Sequence, residues 1–534
     1  MVRFDGGGAR AACHGGGTLN RSPIWNLMTG TATKYLLLAV NLGLGLLLMP
    51  FTVRHLGTSQ YGLWMLVASL TAYFQLLDLG YGNGLVRHVA DADARGDIPR
   101  INRLLSTFVI VYGGLGLLSA VGIAVLIATA VPRFPHLSAA QVRTGQMVLA
   151  ILGIRIAVSF PMTVFGAATT ARQRFALNNS VATAVALVNG AVTYIVLASG
   201  FGLLALVGST TAVGLASYAA YIWTARRAFP ELRIRLSSFD RSLVRDVSAF
   251  SLYLFIIDVA VQIGFNLDNV VVGAALGTSA VAVYAVILRL ADYQRQVACQ
   301  FNGLLFPIAV RLGAGRRAAA LESMLVDGTR IALILITGVT VCAIGFAEPL
   351  LLRWMGPAFE AGIVPFYVLA ITGIVLVSQG PLGSILLGTG HHRLIAAVSM
   401  GEALANILLS VVLVRRFGML GVAIGTAVPV FVANWFVLLP IACREFGMTT
   451  TAFLRRVLPA PAAGVLPAVA VCVLLRSQYP PTTVVWILAE ASLVGAVYLI
   501  TVVTIGLERA VRSRYAEHVR RVLPGAAHLM AGLS

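Results

Sequence analysis

Acidic side chains are few: 20 Asp and Glu in 534 residues against 39 Lys and Arg, with charged residues of both signs making up only 11% of the chain. A soluble enzyme of this length needs more charge, and a disordered chain needs far less than the 58% hydrophobic residues present, so both classes are excluded. Cysteine is equally sparse. The five, Cys13, Cys299, Cys342, Cys443 and Cys472, are odd in number and lack metal-ligand spacing, which reads as small apolar packing residues. No Walker or dinucleotide-binding glycine pattern occurs, and no nucleophile has a base at interpretable spacing, so ATP is not an expected fuel and the chain is not expected to be an enzyme. The first thirty or so residues, with Gly6 to Gly8 and Gly15 to Gly17, hold no apolar stretch of the signal-peptide kind and read as a flexible tail.

What the chain has in abundance is long apolar runs, and its mean hydropathy is +0.89. About twenty apolar residues cross a hydrocarbon core of about 30 Å as a helix, the only open-chain structure that satisfies its own backbone there. Fourteen runs can be read, from Tyr35–Val53 to Val484–Gly506, the ninth (Ile331–Phe346) being the shortest. The net charge of +19 would suggest nucleic acid in a soluble protein; here the cations lie between the runs, and no nucleic-acid partner is expected. With an even number of spans and both termini on one side, 29 Lys and Arg fall in segments on that side and 7 on the other, with Arg155, Arg289 and Arg295 inside spans. That asymmetry is the positive-inside pattern, so both termini are expected to be cytoplasmic.

The runs also repeat. Leu56-Gly57-Thr58-Ser59 recurs as Leu276-Gly277-Thr278-Ser279, and in the same register Leu70 matches Leu290 and Tyr73 matches Tyr293. Phe201-Gly202, Leu204 and Thr210 match Phe417-Gly418, Leu420 and Thr426, with Asn189 against Asn406 after one insertion. The expected fold is an all-α integral membrane protein of about 14 transmembrane helices, two related six-helix lobes plus a C-terminal helix pair. The expected division is a tail (1–33), a first lobe (34–224), a basic linker (225–246), a second lobe (247–443), helices thirteen and fourteen (444–506) and a basic tail (507–534). The linker, with Arg226, Arg227, Arg233, Arg235, Arg241 and Arg245, reads as a tether lying beside anionic membrane lipids.

Several short motifs then fall in order: Pro50, Arg54, Leu56-Gly57, Tyr61-Gly62-Leu63-Trp64, Asp78-Leu79-Gly80 and Arg87; Asp268, Gly273, Leu276-Gly277, Tyr284, Arg289 and Pro307; Arg353-Trp354-Met355-Gly356 and Phe359. Together they resemble the Wzx-like polysaccharide (O-antigen repeat unit) flippases of the multidrug/oligosaccharidyl-lipid/polysaccharide exporter superfamily. The resemblance implies two lobes around a cavity that opens alternately to either side of the bacterial inner membrane. It implies a substrate, an oligosaccharide repeat unit on undecaprenyl pyrophosphate, carried to the periplasmic leaflet for surface polysaccharide synthesis, with a polymerase and a chain-length regulator as possible partners. Multidrug exporters share the superfamily and are the rival, although they usually place an acid in the first helix where this chain has Asn41. A membrane glycosyltransferase or ligase is a third reading, for which long loops bearing acids are missing.

Polar residues inside the spans are the site candidates, since a charge at bilayer depth costs about 2.5 to 3.5 kcal/mol and must face water or a partner. At 100° per residue the eighth run aligns Arg289, Asp292, Tyr293, Gln296 and Gln300, and the seventh aligns Asp258, Gln262, Asn266 and Asn269. The fourth run adds Arg155, Ser159, Thr163 and Thr170; the eleventh adds Ser399, Glu402, Asn406 and Ser410. Neutral groups suit sugar hydroxyls, and guanidinium suits pyrophosphate, which makes Arg155 and Arg289 the candidates for the anionic head. Arg289 has the alternative of pairing with Asp292, and Asp78 beside Arg87 suits capping or gating. No cofactor is expected beyond a coupling ion, H+ or Na+, for which Asp258, Asp268 and Glu402 are the candidates. Outward movement of a dianion is favoured by an inside-negative potential, about 2.3 kcal/mol per charge per 100 mV, leaving ion coupling to reset the empty carrier. His391 and His392 read as a solvated loop, and Gly113, Gly114 and Gly116 as close-packing positions.

Overall fold

A computed structural model describes residues 23–248, 252–299, 318–509 and 511–513. These residues are helical nearly throughout and contain no strand: α1 (Pro23–Ala72), α2 (Tyr81–Ala94), α3 (Ile98–Thr129), α4 (Ala139–Ala171), α5 (Phe175–Ala198), α6 (Leu203–Ala228), α7 (Arg241–Ser248), α8 (Leu252–Leu276), α9 (Thr278–Cys299), α10 (Ala318–Trp354), α11 (Ile363–Ser378), α12 (Gly380–Gly388), α13 (His392–Phe431), α14 (Leu439–Glu445), α15 (Thr450–Val457), α16 (Pro459–Gln478) and α17 (Val484–Thr501).

Eleven stretches of the described residues are long and apolar enough to cross a membrane. The first, Met28–Ala94, would be about 100 Å long as a straight helix, three times the hydrocarbon thickness. It is broken at Gly57, whose φ of 75° and ψ of 161° lie outside the helical region, and His392–Glu445 is broken in the same way at Gly418. Separating those limbs and adding α9, which its charges exclude from a hydropathy count, accounts for the fourteen spans expected. Gly277, the repeat partner of Gly57, also has positive φ, at 85°. A side chain is strained in that conformation, so both copies need glycine where one span turns into the next. The ninth span is the one most changed: α10 runs 37 residues, about 55 Å, and continues well past the apolar segment at both ends.

Two lobes result. In the first, α3 packs on α4, α1 on α5, and α6 on both α4 and α5; in the second, α8 packs along α13 and α10 along α11. The C-terminal pair, α16 and α17, leans on α10, where Tyr498 is clamped between Gly338 and Gly464. The linker is more ordered than a tether. Its backbone is strapped to α3, with Asn102 donating to the Glu231 carbonyl (3.1 Å) and accepting from the Arg233 N–H (2.9 Å), and Ser106 accepting from the Arg235 N–H (3.0 Å). Leu243 and Val247 of α7 are buried under the lobe, and Phe453 and Val457 of α15, one turn apart in the same way, are buried under the second. Each lobe therefore ends in a short amphipathic helix at the arginine-rich face.

A methyl added at Gly338 or Gly464 would lie 2.7 Å from the Tyr498 ring, closer than real side chains approach. Gly464→Leu is expected to push the C-terminal pair off α10 and destabilise the purified protein by about 1 to 3 kcal/mol, read as a lower thermal midpoint in detergent.

Candidate functional site

Between the lobes lies a chamber of about 910 Å³ bordered by α1, α5, α8, α9, α11 and α13. The eighth-span seam faces it, as the 100° period predicts: Arg289, Asp292 and Tyr293 line the wall, joined by Gln262, Asn266, Asp268 and Asn269 from α8 and by Asn41 from α1. Arg295, which the seam argument did not select, also lines it.

Arg295 changes the electrostatics. Its guanidinium is 2.6 Å from Asp292 Oδ1, while Gln296 Nε2 donates to Oδ2 at 2.6 Å and Arg289 stands off at 4.0 Å. The Asp292 charge is thus taken up mainly by Arg295. Arg289, 55% exposed, is left with its guanidinium about 5.3 Å over the Tyr293 ring and most of its fork facing the chamber. Arg289 thus stands at the outer limit of ion-pair distance from Asp292 and lines the chamber.

Behind the wall sits Asp268, fully buried. Its Oδ2 accepts from Tyr284 Oη (3.0 Å) and Thr426 Oγ1 (2.8 Å), and Asn406 Nδ2 donates to Thr426 (3.0 Å). Asp268 Oδ1 and Asn406 Oδ1 have no protein partner. Two spare oxygens beside a hydroxyl and the Val422 carbonyl, to which Thr426 also bonds (3.2 Å), form an oxygen-rich set of the kind that hard cations take.

The remaining candidates lie elsewhere. Arg155 lines neither this chamber nor a second cavity in the first lobe; it is exposed on α4, packed over Gly214 of α6 and interacting with Tyr218. Arg155 and Arg289 are therefore not brought together in this arrangement: Arg155 lies beside Gly214 and Tyr218 of α6, while Ser159, Thr163 and Thr170 of the same α4 face border the second cavity. Ser159 and Asp78 line the second cavity, where Asp78 accepts from Tyr112 Oη and from the Gly82 N–H (3.3 Å), so it caps α2. Arg87 is exposed on α2 and Asp258 is exposed on α8, both off the chamber wall. Glu402 is held by Asn434 Nδ2 (3.3 Å) within the second lobe. Gln300 lies outside the described residues.

One face of the chamber is sealed. Ser59 and Thr278, from the two copies of the Leu-Gly-Thr-Ser motif but one position out of register, approach to 3.4 Å, and Gln141 Nε2 bridges them by donating to Ser59 Oγ (2.9 Å) and Thr278 Oγ1 (3.2 Å). Gln141 is also the capping-box residue of α4, its Oε1 accepting from the Ser138 N–H (2.8 Å), so the bridge is held in a fixed pose. Gly62 abuts the Thr278 backbone, and the Trp354 indole donates to the Leu46 carbonyl at 2.7 Å. All of these lie toward the arginine-poor face.

Comparison with known proteins places this geometry. A family profile described as polysaccharide biosynthesis protein matches residues 29–312. An uncharacterised membrane protein of Bacillus subtilis (strain 168), EpsK, is 23% identical over 397 residues, 72% of this chain and 77% of that protein. Among solved structures, an inward-facing multidrug-resistance MATE-family transporter of the MOP superfamily superposes with a TM-score of 0.63 at 14% identity, covering 78% of this chain and 99% of its own. The lipid II flippase MurJ, inward closed, gives 0.63 at 14% identity over 89% and 98%, and an outward-facing MATE transporter gives 0.57 at 14% over 81% and 95%. At these identities the likeness shows the fold.

Cysteines at Ser59 and Thr278 are expected to form a disulfide on mild oxidation, since the two hydroxyls already lie 3.4 Å apart; the check is a non-reducing gel after cleavage of the linker. Gln141→Ala is expected to weaken the crosslink and to raise labelling of a cysteine at Asn41 by a membrane-impermeant thiol reagent added from the arginine-poor side.

Proposed function

Because the chain belongs to the polysaccharide biosynthesis protein family, whose profile spans more than half of it, we propose that it is a flippase moving polyprenyl-pyrophosphate-linked oligosaccharide repeat units from the cytoplasmic to the periplasmic leaflet. The arginine-rich face is cytoplasmic on this reading, both termini included, and the sealed face is periplasmic. The observation that carries it is Arg289. A guanidinium at bilayer depth, free of close pairing with the neighbouring Asp292 and open to an interlobe chamber, is a receptor for a lipid-borne pyrophosphate. The amides of Asn41, Gln262 and Asn266 offer donors and acceptors to the sugars next to it.

Alternating access follows from the seal. Breaking the Gln141 bridge and closing the lobes at the opposite face carries the head group across while the polyprenyl chain stays in lipid. Asp268, with Asn406 and Thr426, is the coupling site for Na+ or H+ on this reading. Glu402 and Asp258, one bonded to Asn434 and the other exposed, are weaker candidates. The multidrug-exporter reading is disfavoured by the same residue, because an organic cation entering the chamber meets Arg289 and Arg295.

Expression in a strain lacking its own repeat-unit flippase is expected to restore surface polysaccharide and clear the inward-facing lipid intermediate. Arg289→Ala is expected to reduce this by roughly ten- to a hundredfold, the loss of a charge-assisted hydrogen bond worth about 1.5 to 3 kcal/mol, at unchanged protein level. Loss of the protein itself would make Arg289 structural, and drug resistance without polysaccharide would favour the exporter.

A further inference from the structure

The second cavity, about 460 Å³, lies inside the first lobe near the arginine-rich face, between α2, α4 and α6. The transport reading makes no use of it. Ser159, Thr163 and Thr170 border it along α4, Tyr218 and Tyr221 stand one turn apart on α6, and Asn83 opens α2. Asp78 is the one ionised group among the lining residues, and its charge is engaged by Tyr112 and by the amide end of α2. No cation is among the lining residues; Arg155 meets the wall through its hydrogen bond with the Tyr218 hydroxyl, where its charge is engaged. The committed carboxylate gives an organic cation no free counter-charge either. What remains is a neutral wall of hydroxyls and an amide beside two phenol rings, which suits a polyhydroxylated ring: hydroxyls exchange hydrogen bonds in both directions, and the C–H face packs on an aromatic.

Position adds a second argument. Gln262 of α8 lines the central chamber and donates to the Ala72 carbonyl (3.2 Å); α8 also packs on the turn 73–78, whose last residue, Asp78, lines the second cavity. The two cavities are thus neighbours along α8.

We infer that the second cavity is a glycan subsite, receiving the sugars farthest from the pyrophosphate and selecting the carrier's cargo by its oligosaccharide. This rests on the transport reading above. The wall distinguishes glycans through Tyr221, Thr163 and Asn83, and the charge-bearing chamber then reads only the part common to all such lipids.

The test uses the full chain in lipid nanodiscs and two probes, undecaprenyl pyrophosphate bearing one hexose and the same lipid bearing a tetrasaccharide. Wild type is expected to bind the longer probe about tenfold more tightly, equivalent to about 1.4 kcal/mol. Tyr221→Ala is expected to erase that difference while leaving affinity for the shorter probe unchanged. Thr163→Val, at an exposed position where folding is not at stake, is expected to lower affinity for the longer probe alone by about fivefold, the scale of one hydrogen bond. Free tetrasaccharide should compete with the longer probe and not the shorter, which identifies the glycan as the recognised part. Equal wild-type affinities, equal losses for both probes, or Tyr221-dependent displacement by tetraphenylphosphonium would overturn the subsite. A wild type that binds neither probe would instead overturn the transport reading on which it rests.

Discussion

A charged side chain at bilayer depth has to be given water or a partner, and α9 carries three of them within two turns: Arg289, Asp292 and Arg295. The rest of the arrangement answers that demand. Asp292 is shared between Arg295 and Gln296, which neutralises one pair, and the surplus guanidinium is left facing the gap between the lobes. At one point the lobes touch across it: Gly45 of α1 sits directly against the Tyr293 hydroxyl, where a Cβ would collide. A chamber of this kind is the consequence of placing net charge on one internal helix of a bundle that is otherwise apolar.

The two repeats solve this unequally. In the register that aligns Tyr73 with Tyr293, Ser69 corresponds to Arg289, Ala72 to Asp292 and Gln75 to Arg295; shifting to the preceding span, Leu48 corresponds to Asp268 and Met49 to Asn269. Leu48, Met49, Ser69, Asp268, Asn269 and Arg289 all border the chamber. One wall is therefore neutral, while the other carries every charge among the residues that line the chamber. A pseudosymmetric pocket with equal charge on both walls would pull the lobes together around an anion at either face. With charge on one wall only, the proposed anionic cargo would travel with the second lobe, leaving the first lobe to contact what is attached to it.

How much of this the sequence reveals depends on whether a residue's neighbours are set by its own helix or by distant ones. The spans were legible because hydropathy is a property of a segment, and the seam on α9 because periodicity puts Arg289, Asp292 and Tyr293 on one face whatever surrounds it. The surroundings of Arg155 were not legible, for the complementary reason: nothing in α4 says that Gly214 and Tyr218 of α6 lie beside it. Gln141 carried a local signal, the Ser138-x-x-Gln141 capping box, whose meaning as a bridge appears only when two loops 219 residues apart meet beside it. The matches of Asn189 with Asn406 and Thr210 with Thr426 served as markers of repetition; folded, Asn406 and Thr426 are bonded partners next to Asp268, while Asn189 faces the chamber.

The chemistry of the seal fits a carrier that must reopen it. Ser59, Thr278 and Gln141 are all neutral, and neutral hydrogen bonds contribute about 0.5 to 1.5 kcal/mol each once exchange with water is counted. Two or three of them amount to the few kcal/mol that separate alternative states of a working protein. An ion pair in the same place would be costly to break and would leave a stranded charge at the mouth of the chamber. At the opposite face the balance runs the other way, since the loops there hold most of the arginines. Apposition of the lobes is therefore held by weak, replaceable bonds on one side and resisted by like charge on the other. Closing the arginine-rich face requires something to offset that repulsion, and on the proposed transport reading a cargo that fills the space between the lobes and brings anionic charge to Arg289 does so at the moment when closure is useful.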